Sequence, residues 1–130
     1  SPQMNFFDGE LEKKDGKYQL KVGEATVVLG GKAQELLTGK GVGERKVTVG
    51  IRPEGFLPEA DGPFACKLNR VEIMGRDVSI VCENGACEAG TLRAIIQSDG
   101  TEQSHPDIVR FRLKPGKVLL FGADGQRLRG

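Results

Sequence analysis

Tyr18, Leu20 and Val22 alternate with Lys17, Gln19 and Lys21. That period of two predicts a strand with one face in water. The weaker alternation of Glu10–Lys14 before it meets Asp15-Gly16, a strong two-residue hairpin signal. After a Gly23-Glu24 turn, Ala25–Leu29 is a β-branched run that Gly30-Gly31 ends. Ala33, Leu36 and Leu37 fall at helical spacing, so Lys32–Leu37 reads as the one short helix, with Gly39 as its cap. Val47, Val49 and Ile51 share a strand face, and Pro53 stops the strand because it has no N–H to give. Phe56 and Leu57 follow, then a loop from Pro58 to Pro63.

Phe64–Met74 reads as one long strand whose apolar parity switches after Asn69-Arg70, the signature of a β-bulge. Gly75 makes the next turn. Val78, Ile80 and Cys82 then face one way, with Asp77, Ser79 and Val81 expected on the other side. Strands at Leu92–Ile96, Val109–Leu113 and Val118–Phe121 complete the chain, separated by a polar loop at Ser98–Pro106 and a Pro115-Gly116 turn. About nine short strands with one helix and no βαβ unit describe an all-β barrel or sandwich.

The 130 residues suit one domain. Nineteen glycines and no tryptophan fit many tight turns. The charge is balanced, 19 basic against 18 acidic residues, which argues against a nucleic-acid partner. Six phenylalanines and one tyrosine also give few stacking platforms for a single-stranded nucleic acid. Three cysteines, Cys66, Cys82 and Cys87, make no disulfide framework and fit a reducing cytoplasm. No apolar run approaches the ~20 residues of a membrane span.

Candidate chemistry is sparse. The glycine-rich stretch around Lys40 lacks the G-x-x-x-x-G-K-[ST] spacing of a phosphate loop and reads as a turn. His105 is the sole histidine, in a loop with no evident partner for acid–base work. Cys82 and Cys87 are too widely spaced for a structural zinc pair, and Cys66 and Cys82 share the apolar parity of their strands, which places them inside. Arg110, Arg112 and Lys114 form a basic row that reads as a solvated strand face. Arg52 and Glu54 flank Pro53, whose fixed φ sets them at a corner. They are either an ion pair bracing the strand end or a contact for a partner.

Four ordered segments resemble a known family. Ser1-Pro2-Gln3-Met4-Asn5-Phe6, Gly50-Ile51-Arg52-Pro53-Glu54, Val71-Glu72-Ile73-Met74-Gly75, and Leu119-Leu120-Phe121 with Asp124-Gly125 are similar to the C-terminal regulatory (TOBE) region of ABC-transporter ATPase subunits of the maltose and glycerol-3-phosphate importer type. The resemblance implies OB-like β-barrels folded as one unit over residues 1–130, with residues 1–8 as a linker from an ATPase domain upstream. It implies a non-catalytic tail that holds two ATPase subunits together. ATP and magnesium would belong to that upstream domain, and the tail would carry no cofactor or metal of its own. Partners would be a second copy of the subunit, the permease subunits through the ATPase domain, and in some members an inhibitory signalling protein, all at the cytoplasmic face of the membrane. The polar positions within the resembling segments, Arg52, Glu54, Glu72 and Gly75, with Arg76 beside them, are the expected interaction residues. A second reading is a barrel that senses a small solute or oxyanion. Gly55 departs from the family's usual His, and Gly122 from its usual charged residue.

Overall fold

The structure, a computed structural model, describes residues 4–97, 107–122 and 124–128. Ten strands and one helix fall within them. They are β1 (Asn5–Lys14), β2 (Lys17–Val22), β3 (Ala25–Val28), α1 (Gly31–Gly39), β4 (Arg45–Ile51), β5 (Phe56–Pro58), β6 (Phe64–Met74), β7 (Asp77–Glu83), β8 (Thr91–Gln97), β9 (Ile108–Leu113) and β10 (Val118–Phe121). One five-stranded antiparallel sheet runs β10-β4-β1-β2-β3, and the other β5-β9-β6-β7-β8. The edge strands β5 and β8 of the second sheet pack against each other, which curls it toward a closed barrel. The fold is all-β, as the alternation predicts, and OB-like, as the resemblance implies.

Local sequence explains most boundaries. Asp15 and Gly16 both have positive φ, 53° and 78°, the pair that a two-residue hairpin of matching twist requires. The helix is seated by Gln34, whose side-chain oxygen accepts from Tyr18 N at 2.7 Å while its nitrogen donates to Leu29 O at 3.1 Å. The helix end differs from expectation. Gly39 lies within the last turn, and Gly41, at φ 63°, is the left-handed residue. Gly41 N bonds Thr38 O and Val42 N bonds Leu37 O, the double bond of a Schellman end. The β6–β7 ladder slips between Leu68 and Arg70, where the parity switch predicts a bulge.

Two expectations are corrected. Residues 5–8, read as linker, are the first part of β1. Phe7 is fully buried there, because an inward position at the junction of two sheets pulls an aromatic inside. Phe56 and Leu57 belong to a tenth strand, paired with β9. Both faces of β7 are covered: Ser79 and Val81, on the side opposite Val78, Ile80 and Cys82, are buried as well. Arg93 reaches back over that face and donates to Ser79 Oγ.

One apolar core spans both sheets. At its centre Phe7 meets Phe64 edge-on at 5.4 Å, and Phe56 lies 5.8 Å from Phe64 and 5.4 Å from Phe111. Each buried ring contributes about 2–3 kcal/mol by area. Backbone bonds tie the sheets beside it: Asp8 N to Ala86 O and Glu88 N to Phe6 O, both at 2.9 Å.

Candidate interaction surface

The Arg-Pro-Glu corner forms where β4 ends. Pro53 leaves the ladder and, at the first position of a 3-10 turn over Pro53–Gly55, gives up an N–H that the turn does not need. Arg52 projects into solvent. Glu54 is half-buried, and its Oε1 is shut from water with no hydrogen-bond partner. The two side chains form no ion pair with each other, so the bracing role does not hold. Gly55 is buried, and a Cβ there would come within 2.7 Å of Ile51 Cγ2. That contact accounts for glycine at this position in this chain.

Glu72 occupies a different environment. On β6 it accepts from Arg70 Nε at 2.7 Å and lies 3.9 Å from Arg93 Nη1. The Arg70 hydrogen bond, with the charges of Arg70 and Arg93, holds its carboxyl below the usual glutamate value. Gly75 turns the β6–β7 hairpin at φ 65°, and Arg76 beside it is exposed. Glu72, Gly75 and Arg76 therefore lie along one hairpin, and the corner residues lie in the turn from β4 to β5 that links the two sheets.

Two residues that sequence reasoning did not single out join these groups. Asn5 Nδ2 donates to Ile51 O at 3.0 Å and to Arg93 O at 2.9 Å, and its Oδ1 accepts from Arg93 N at 3.0 Å. Asn5 thereby fastens the end of β4 to the edge strand β8, and Arg93 continues the line to Ser79 and Glu72. The available signal was parity: Asn5 is polar at an inward position, ahead of Phe7. Beside this line lies an open groove of about 630 Å³, whose lining includes Met4, Phe6, Val81 and Leu92 together with Arg70 and Arg93.

No other chemistry competes. Among the described residues no cluster of His, Cys, Asp or Glu could hold a metal ion, and no helix is long and apolar enough to cross a membrane. His105 falls outside the described residues. The basic row on β9 is braced rather than free at two places: Arg110 donates to Gly62 O at 3.2 Å, and Arg112 pairs with Glu59 at 3.4 Å. All three cysteines are buried free thiols. Contact with the Cys82 side chain, then burial, pushes the Cys66 thiol well up, and burial raises Cys87. Because the thiolate is the reactive form, native protein should resist a neutral thiol reagent at Cys66 and Cys82, with full labelling only in denaturant. Prompt labelling of all three under native conditions would contradict this.

A family model described as the MalK OB fold domain matches residues 1–56. No curated protein matches the chain. The matched stretch holds β1 to β4, the helix and the Arg52–Glu54 corner, and ends before Glu72, Gly75 and Arg76. Over that stretch the chain is similar to the OB-fold domain of a MalK-type ABC ATPase.

Proposed function

We propose that this chain is a non-catalytic regulatory and dimerisation domain of the ATP-binding subunit of an ABC importer for sugars or related solutes. The observation that carries the reading is the match of residues 1–56 to the MalK OB fold domain. The all-β, OB-like architecture and the absence of a phosphate-loop motif from the sequence agree with it. Nucleotide chemistry would then reside in a domain N-terminal to Ser1, and this domain would contribute contacts between subunits at the cytoplasmic face of the membrane. A solute-sensing barrel is less well supported, because the two arginines of the groove are already engaged by Glu72 and Ser79.

Reading the coding frame upstream of the Ser1 codon tests the assignment. An in-frame G-x-x-x-x-G-K-[ST] motif is expected there, and the 130-residue chain alone should show no saturable ATP binding by calorimetry at micromolar concentrations. A frame without that motif, or tight nucleotide binding by the chain itself, would overturn the assignment.

A further inference from the structure

Asn84-Gly85 is the one place in the chain where asparagine precedes glycine; Asn5 and Asn69 precede Phe6 and Arg70. The pairing matters chemically. The backbone nitrogen that follows an asparagine can attack the side-chain amide carbon. Glycine leaves that approach unhindered, because it has no Cβ and its backbone turns freely. The fold itself makes no demand for glycine here. A Cβ at Gly85 would meet nothing within 4 Å, and its φ is not positive.

Asn84 sits where its amide counts. It begins the connection from β7 to β8, and its N–H donates to Gly90 O at 3.3 Å, which draws the ends of that loop together. Its side-chain Nδ2 donates to Ala65 O of β6 at 2.9 Å, and its Oδ1 accepts from Ala86 N at 2.8 Å, an Asx turn. The same loop carries the backbone ties between the sheets, Asp8 N to Ala86 O and Glu88 N to Phe6 O. Cys87, between those ties, is buried and bridges to Phe7. The two side-chain hydrogen bonds fix the amide plane of Asn84. Ring closure by Gly85 N needs that plane to turn, so both bonds must first release.

We propose that Asn84 is a site of spontaneous deamidation that the closed seam between the sheets protects and that opening of the loop exposes. In the open loop Gly85 N attacks Asn84 Cγ. A C–N bond forms, the Cγ–Nδ2 bond breaks, and Nδ2 leaves as ammonia with the proton of Gly85 N. Water then opens the succinimide at either carbonyl, to aspartate or to isoaspartate. Both products lose the N–H that serves Ala65 O and set a carboxylate against that carbonyl, an uncompensated acceptor. Isoaspartate also adds a carbon to the main chain at the base of the loop. The modified loop closes less well, so the change runs one way and marks chains whose seam has opened. The site is independent of the transporter reading.

Peptide mapping of the whole chain tests this. Trypsin releases Asp77–Arg93, in which Asn84 is the only asparagine. Loss of its amide is read by mass and by labelling with an isoaspartate-specific methyltransferase, after ageing near neutral pH in buffer and, in parallel, in urea. The amide should be lost at least about tenfold more slowly in buffer, the protection of a loop whose open form is a minor population. Gly85→Ala should slow the loss in urea, where its methyl group crowds the attacking nitrogen, and should leave the melt of the folded chain close to that of wild type. Asn84→Asp, which carries one of the two products, should lower the melting temperature by about 4–8 °C and speed hydrogen exchange at Asp8 N and Glu88 N. Equal rates in buffer and urea would overturn the protection by the seam. An unchanged rate for Gly85→Ala in urea would overturn the chemistry. A wild-type melt and wild-type exchange for Asn84→Asp would overturn the link to the seam. The comparison of buffer with urea uses wild type alone, so it stays decisive even where Asn84→Asp fails to fold.

Discussion

Replacing Gly62 by alanine should destabilise the protein by about 2–4 kcal/mol, enough to lower the melting temperature by roughly 8–15 °C in a domain of this size. The reason is a backbone that cannot yield. A Cβ at Gly62 would lie 2.5 Å from Phe111 O, 2.6 Å from Phe111 C and 2.8 Å from Phe111 N. These atoms belong to β9, which is held on both sides by β5 and β6. The Phe111 ring is itself locked in the central aromatic cluster. Gly62 is also fixed from its own side, since its N–H bonds Glu59 O at 2.9 Å and its carbonyl accepts from Arg110. Neither partner can retreat, so the added methyl group must pry the Pro58–Pro63 loop from the sheet. Gly43→Ala is the control. Nothing lies within 4 Å of a Cβ there, and its φ is not positive. That change should fall within about 0.5 kcal/mol of wild type. Urea melts of the two variants measure the contrast, and equal midpoints would refute the packing argument.

Gly62 also shows where sequence reading stops. Its neighbours Asp61 and Pro63 mark a loop, and a loop glycine ordinarily answers for a turn. That this one answers for a close approach to β9 is a long-range fact, invisible without the sheet order. The short-range features were legible for the same reason. The Asp15-Gly16 hairpin, the Leu68–Arg70 bulge and the end of β4 at Pro53 each follow from the chemistry of adjacent residues. The burial of Ser79 was not legible, because its cover, Arg93, comes from the neighbouring strand β8. Among the expected interaction residues, the exposure of Arg52 and the turn at Gly75 could be read locally. The capture of Glu72 by two arginines could be read only in half: Arg70 is two residues away, and Arg93 is 21 positions further along. Nothing in the local sequence brings Phe6 and Phe121 together. That they meet depends on β1 and β10 flanking β4.

Asn5→Ala should cost about 3 kcal/mol, although it removes only a small amide at the start of β1. Asn5 is 9% exposed and satisfies three backbone groups at once, Ile51 O, Arg93 O and Arg93 N. Alanine takes the amide partner from all three where water enters poorly, at about 1–3 kcal/mol for each group that stays unsatisfied. Some relief comes from water entering along the adjoining groove, which sets the total below the sum. The effect should be local as well as global. The Arg93 amide should lose its hydrogen-exchange protection, and Glu72 should lose part of its Arg93 contact, because the strand that carries Arg93 is no longer pinned. Asn5→Asp separates hydrogen bonding from size. Its carboxylate can still accept from Arg93 N, but it meets two carbonyl oxygens with no proton to offer. Burial and those oxygens raise its folded pKa above the unfolded value. A group shifted in that direction favours the folded state below its unfolded pKa, and that contribution is lost as pH rises through the folded pKa. Asn5→Asp should therefore be less stable than Asn5→Ala at pH 7 and recover relative to it as the pH falls toward about 4, near the unperturbed Asp value. Chemical melts of both variants across that range give the answer. Parallel pH profiles would mean that Asn5 acts only by filling space, and the staple between β4 and β8 would have to be abandoned.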